Sequence, residues 1–182
     1  MPSADEILQS LGYLARNHQR ISILWHVAVY SLLLFLLLAK RKPSNRFIGC
    51  FLALPLLSVS FFAWHVENPF TGVFFLITGC FSFFLSVRAE SKEISPNPSF
   101  LMRAAGSVIL FFGIIYPHFL GPHLFVYLYA APIGIIPCAT LLVVTGFSLL
   151  FLLRQSLKWM WTLLIADLFY GLFGVFRLQV YI

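Results

Sequence analysis

YPHFLGPHLFVYLYAAPIGIIPCAT, residues 116–140, is the stretch that decides the fold of this chain. It is apolar enough for a membrane, yet prolines or glycines interrupt it at positions 117, 121, 122, 132, 134 and 137. Residues 118–136 could cross a bilayer only as an unbroken helix, because a span needs about 20 residues at about 1.5 Å each. We therefore expect them to fold back as a cap over one end of a helical bundle, with Pro132 or Pro137 restarting the next span.

The rest of the chain is mostly plain hydrophobic sequence. Of its 182 residues, 60% are hydrophobic and only 10% are charged, whereas soluble domains carry about 25% charged residues. Such sparse charge cannot cover a water-facing surface, so lipid is the expected solvent for most of the molecule. The net charge of +6 then reports membrane topology and not nucleic-acid binding. The three cysteines fall in separate segments and do not resemble a disulfide framework.

Six hydrophobic segments separated by polar connections predict an all-α fold. The expected architecture is a polytopic transmembrane helical bundle of about six spans, with a short re-entrant or interfacial helix between spans four and five. One transmembrane domain covers residues 1–182, with spans at about 21–39, 47–66, 69–87, 100–117, 133–153 and 159–178. Asn68 and Pro69 favour a helix start, since asparagine caps amino termini and proline suits the first helical position. Residues 3–20 are amphipathic and should lie in the interface or extend span one.

The basic residues divide unequally between the two sides of this bundle. One side receives three, namely Arg16, Arg20 and Arg177, and the other receives nine: Lys40, Arg41, Lys42, Arg46, Arg88, Lys92, Arg103, Arg154 and Lys158. The positive-inside rule puts the nine in the cytoplasm and both termini outside it. The expected partners are the lipid bilayer and, at the basic cytoplasmic loops, anionic lipids. No nucleic acid is expected, and the sequence leaves oligomerisation open.

This orientation brings all five histidines to the extracytoplasmic end. Ser22, His26 and Tyr30 share one helix face at i, i+4 and i+8. We define the polar mouth as the set His26, Tyr30, Glu67, Tyr116 and Cys138. Histidine is the commonest metal ligand, so a transition metal held by His65, His118 and His123, or a haem, is one interpretation. The alternative is that these amphipathic rings lie at the membrane–water interface, partly exposed to water. It is supported by the lack of an HExxH or CxxC motif.

Asp167 is the only acidic residue inside a predicted span. A charged group at mid-membrane costs about 2.5–3.5 kcal/mol even on the mildest scale. Asp167 shares a helix face with Gly171 and Gly174, and small residues mark close helix packing. We therefore expect its side chain to face other helices, either as an ion or proton site or as a protonated acid bonded to a neighbour. The pairs Gly72/Gly79 and Gly106/Gly113 likewise predict tight helix packing.

Several short motifs resemble an uncharacterised family of bacterial multi-pass membrane proteins, known only as a domain of unknown function. They are Glu67-Asn68-Pro69-Phe70, Tyr116-Pro117, Pro132-Ile133-Gly134 and Pro137-Cys138-Ala139-Thr140. The family's last motif has a second proline where this chain has Ala139, and Pro122 separates Gly121 from His123 where Gly-His is expected. The resemblance covers most of the chain. It implies a six-span protein of the bacterial cytoplasmic membrane and brings no activity or catalytic residues.

Three classes of function remain. A small transporter or channel is favoured by Pro55 in span two and Pro132/Pro137 at span five, because helix breaks in corresponding spans of two halves mark transporter binding sites. A metal- or haem-handling protein would use the histidines, and a structural or partner-binding membrane protein is the third class. An enzyme has the least support, since no catalytic triad order or phosphate-binding glycine loop is evident.

Overall fold

The computed structural model describes residues 4–120, 124–152 and 157–178, and within these ranges it contains eight α-helices and no β-strand. The all-α prediction is therefore confirmed. The helices are α1 (Ala4–Asn17), α2 (Gln19–Leu38), α3 (Asn45–His65), α4 (Pro69–Arg88), α5 (Phe100–Ile115), α6 (Leu124–Ala130), α7 (Pro137–Phe151) and α8 (Leu157–Leu178).

Three of the described helices, α2, α3 and α4, are long and apolar enough to cross a membrane. The apolar helices α5 and α7 are shorter, with 16 and 15 residues. Many large apolar side chains on these helices are exposed, including Leu37 at 77% and Phe61 at 67%. Such exposed apolar surface marks an interaction site, and on apolar helices of this length a lipid environment accounts for it.

Local sequence signals place most helix ends correctly. Asn68 caps α4 by accepting a hydrogen bond from the Thr71 backbone N–H at 3.1 Å, and Pro69 is the first residue of that helix. Pro55 lies inside α3 without ending it. The sequence left the start of the fifth span open between Pro132 and Pro137; helix α7 begins at Pro137, and the preceding residues form a buried turn.

Glycines bring two helix pairs, α3/α4 and α5/α7, into close contact. A Cβ atom added at Gly106 would lie 2.9 Å from the Gly146 carbonyl oxygen, and one at Gly113 would lie 2.7 Å from the Val143 nitrogen. On α4, a Cβ at Gly79 would lie 2.7 Å from the Leu57 side chain. The packing role predicted for these glycines is confirmed, since only a residue without a side chain fits such distances.

The same role predicted for Gly171 and Gly174 is wrong. A Cβ at either position would meet no described atom within 4 Å. Within the described ranges, no neighbouring backbone is close to these two positions of α8, so Gly171 and Gly174 make no packing contacts there.

The long polar loop between α4 and α5 is folded onto its neighbours. The Asn45 backbone N–H donates to the Lys92 carbonyl at 2.9 Å, and Ile94 N–H donates to the Pro43 carbonyl at 3.0 Å. Asn97 donates from its backbone and its side chain to the last carbonyls of α7. Within this loop, the hydrogen bond from Lys92 lowers the pKa of the exposed Glu90 carboxyl.

Within residues 116–140, the chain forms α6 and a buried turn at residues 131–136. Ile133 packs in the main core with side chains of α2 and α3, while Ile135 and Ile136 pack with α1 and Phe62. A short helix therefore does lie between α5 and α7, as expected. Tyr127 on this helix is only 3% exposed, and its hydroxyl accepts a hydrogen bond from the Leu120 N–H.

Hydrogen bonds within the turn replace those of a helix. The Ile135 and Ile136 N–H groups donate to the Pro132 carbonyl at 3.3 and 2.9 Å, and the Ile133 N–H donates to the Ala131 carbonyl. Gly134 N–H donates to the Thr140 hydroxyl at 2.8 Å, and that hydroxyl donates to the Ile136 carbonyl. Because the four N–H groups of residues 133–136 are satisfied within the protein, this non-helical backbone can lie at membrane depth.

Candidate functional site

Asp167 is part of a polar cluster between α5, α7 and α8. The Thr145 hydroxyl on α7 donates to Asp167 Oδ2 at 2.6 Å, so Asp167 faces a neighbouring helix as expected. Nearer the start of α7, the Tyr116 hydroxyl and the Cys138 thiol are hydrogen-bonded to each other. We call Tyr116, Cys138, Thr145 and Asp167 the Asp167 cluster.

The positions of helix ends explain how Tyr116 and Cys138 come together. Tyr116 is the residue directly after α5 and is followed by Pro117, and Cys138 is the second residue of α7, which begins at Pro137. Cys138 and Thr145 stand seven residues apart, on one face of α7 and about 10 Å apart along its axis. The cluster therefore extends from the start of α7 to the middle of α8, where Asp167 lies partly buried.

The two residues that α2 contributes to the polar mouth both contact ends of other helices. The buried His26 ring places Nε2 3.1 Å from the Ile114 carbonyl oxygen in the last turn of α5. The Tyr30 hydroxyl donates to the Leu128 carbonyl of α6 at 2.7 Å. Carbonyls in the last turn of a helix lack intrahelical partners, so His26 and Tyr30 cap α5 and α6 from the side.

Both ring nitrogens of His26 face carbonyl oxygens. Nδ1 lies 2.9 Å from the Ser22 carbonyl, one turn earlier on α2, and Nε2 faces Ile114. A carbonyl oxygen only accepts hydrogen bonds, and a neutral imidazole has one N–H. A neutral ring therefore donates to one of these two carbonyls, and the tautomer decides which one.

Replacing His26 with alanine is expected to lower the free energy of unfolding by about 1–3 kcal/mol, because the buried Ile114 carbonyl would lose its partner. Tyr30→Phe removes a comparable hydrogen bond from an exposed side chain, so its effect should be smaller. Unfolding of the two variants in detergent, followed by circular dichroism, measures the difference. Equal stability of His26→Ala and wild type would contradict the capping role.

The remaining candidates do not gather at one point. Glu67 is exposed on a left-handed backbone conformation with φ of 55°, directly before α4. His65 is exposed and contacts the ring of His18, while His118 lies beside Tyr116, with ring centroids 5.1 Å apart. The predicted metal ligand His123 lies outside the described residues. Among those that are described, no three His, Cys, Asp or Glu side chains come together to hold a metal.

The sequence did not predict that His18 contacts His65. The amphipathic segment and span one are separate helices, α1 and α2, and His18 is the residue between them. Its N–H donates to the Leu14 carbonyl and its carbonyl accepts from Ile21. No periodic pattern marks this break, because polar Asn17, His18 and Gln19 fit either an interfacial helix or a junction.

No family model, curated protein or solved structure matches this chain. The fold and the site define a class, an all-α protein with helices able to cross a membrane and a partly buried aspartate that accepts a hydrogen bond from the facing helix. We therefore infer its function from the chemistry of Asp167 and of the histidines.

Proposed function

We propose that this protein is a small six-span transporter or channel of the bacterial cytoplasmic membrane, which moves an ion or small solute, and that it belongs to the family it resembles. Three of the proposed spans are α2, α3 and α4, which are long and apolar enough to cross a membrane, and we assign α8, which has 22 residues, as a fourth. α5 and α7 are about 24 and 22 Å long at about 1.5 Å per residue, less than the bilayer core of about 30 Å. For α7, the buried turn at residues 131–136 spans the remaining thickness of the bilayer core.

The observation that carries this proposal is the partly buried carboxylate of Asp167 on a predicted membrane-spanning helix. An ionisable side chain at membrane depth is costly, and such residues mark ion pathways and proton relays. A carboxylate held by a hydroxyl from the facing helix suits a proton or another monovalent cation. Cys138 and Tyr116 continue the polar groups from Asp167 toward the start of α7. A purely structural hydrogen bond between α7 and α8 is the competing explanation.

Flux measurements separate the two explanations. Purified protein in liposomes that contain a pH-sensitive dye should dissipate an imposed proton gradient faster than protein-free liposomes. Replacing the proton gradient with a Na⁺ or K⁺ gradient identifies the cation. If no cation gradient decays faster than in protein-free liposomes, Asp167 is a structural hydrogen-bond acceptor and the transporter proposal fails.

The proposed orientation puts the basic loops in the cytoplasm and both termini outside. Lys40 and Arg41 are exposed beyond the end of α2, where anionic lipid headgroups can reach them. We expect a membrane-impermeant maleimide added to intact cells to label a Tyr13→Cys variant and to spare a Lys92→Cys variant, after subtraction of parent labelling. Both positions are exposed on the protein surface. The reverse pattern would invert the topology.

A further inference from the structure

His18 and His65 form a pair at the junction of α1 with α2 and at the end of α3. Their ring centroids are 5.6 Å apart and the ring planes are nearly perpendicular, at 82°. We propose that this pair binds one late first-row divalent metal ion, such as Zn²⁺, Cu²⁺ or Ni²⁺. The site shares no residue with the Asp167 cluster, and it does not depend on the proposed ion transport.

The ring separation matches that of two histidines on one metal. Metal–nitrogen distances are about 2.0–2.1 Å, which puts each ring centroid about 3.2 Å from the ion. At a tetrahedral angle, the two centroids would then lie about 5.2 Å apart. The observed 5.6 Å is within a few tenths of an ångström of that value, so coordination requires the rings to turn and not the helices to move.

One ligand of the pair is held in place and the other is free to turn. The His18 ring packs at 4.7 Å against the buried ring of Phe62, and backbone hydrogen bonds fix His18 on both sides. His65 is the last residue of α3 and its side chain is exposed. A metal can thus reach the pair from the surface, and rotation of the His65 side chain can aim its ring nitrogen at the ion.

The donor set selects the class of metal. Imidazole nitrogens suit zinc, copper and nickel, whereas magnesium and calcium require oxygen ligands. Within the described ranges no third His, Cys, Asp or Glu completes the set, so water fills the remaining positions and the bound metal exchanges. A bound ion would join the α1–α2 junction to α3, which should stabilise this end of the protein against heat.

Calorimetric titration of the purified full-length protein with Zn²⁺ and with Cu²⁺ tests the proposal. His18→Ala and His65→Ala should each weaken binding by at least about tenfold, since even residues that only support a ligand contribute that much. His118→Ala is the matched control, because His118 is an exposed histidine with other neighbours, and it should leave binding unchanged. Electron paramagnetic resonance of the Cu²⁺ form should show coupling to two imidazole nitrogens.

A stability readout guards against variants that misfold. Zn²⁺ should raise the Tm of the wild-type protein, and the double variant His18→Ala/His65→Ala should keep the metal-free Tm but lose the increase. Unchanged metal affinity in that folded double variant would overturn the proposal. Loss of binding in His118→Ala or His123→Ala, with His18→Ala unaffected, would replace this pair with the His65, His118 and His123 set and would also overturn it.

Discussion

Replacing Asp167 with asparagine is expected to reduce cation flux to the level of protein-free liposomes while the protein still folds. Asparagine has nearly the shape of aspartate, and its amide oxygen can still accept the hydrogen bond from Thr145. It cannot bind a proton reversibly or carry a negative charge, so the proposed ion site is removed without a cavity. Flux in the liposome assay and elution on size exclusion chromatography report function and folding separately.

Two further variants show whether the charge or the hydrogen bond matters. Glu90→Gln makes the same acid-to-amide change on the exposed loop between α4 and α5 and should keep wild-type flux. Thr145→Val keeps the carboxylate but removes its hydrogen-bond donor, so an intermediate flux is expected. If Asp167→Asn transports as well as the wild type, the carboxylate takes no part in transport and the structural explanation remains.

Replacing Gly134 with alanine is expected to lower the free energy of unfolding by about 2–5 kcal/mol, because a backbone penalty and a steric clash both contribute. Gly134 has a φ of +73°, a conformation that costs an L-residue about 1–2 kcal/mol. Its Cβ would also lie 2.1 Å from the Trp25 ring, and overpacking of a core typically costs about 1–3 kcal/mol. The Trp25 ring is held by its hydrogen bond to Ser58 at 3.2 Å.

Unfolding of this variant in detergent, compared with two others, tests the packing of the turn. Gly171→Ala adds the same methyl group to a helix position with open space around it and should be neutral or slightly stabilising. Adding Trp25→Ala to Gly134→Ala should recover the part of the lost unfolding free energy that comes from overpacking. The losses of the two single variants should therefore not add in the double variant. A Gly134→Ala protein as stable as the wild type would show that Trp25 does not cover the turn.

The sequence alone predicted helices well because apolar segments in lipid have few alternatives to helix. A backbone without water must satisfy its polar groups within the segment, so hydropathy and local caps such as Asn68 determine where helices lie. The small-residue pairs Gly106/Gly113 and Gly72/Gly79 were also assigned correctly. The same argument failed at Gly171 and Gly174, because a face of small residues says nothing about whether another helix is present.

The candidate site was predicted only in part. Periodicity identified the Ser22, His26 and Tyr30 face, and hydropathy singled out Asp167. Neither pattern could show that His26 and Tyr30 contact carbonyls of α5 and α6, the first of them 88 residues further along the chain. A polar stripe looks the same in sequence whether it faces water, a ligand or a helix end.

The sequence by itself determined that this is an all-α protein with helices able to cross a membrane, and that residues 116–140 cannot be one of those helices. Only the tertiary structure decided that residues 131–136 turn into the core, that Thr145 contacts Asp167, and that His18 lies beside His65. The physical reason is the separation along the sequence over which each interaction acts. Helix formation and burial in lipid depend on residues within a turn or two, whereas these contacts depend on how separate helices pack.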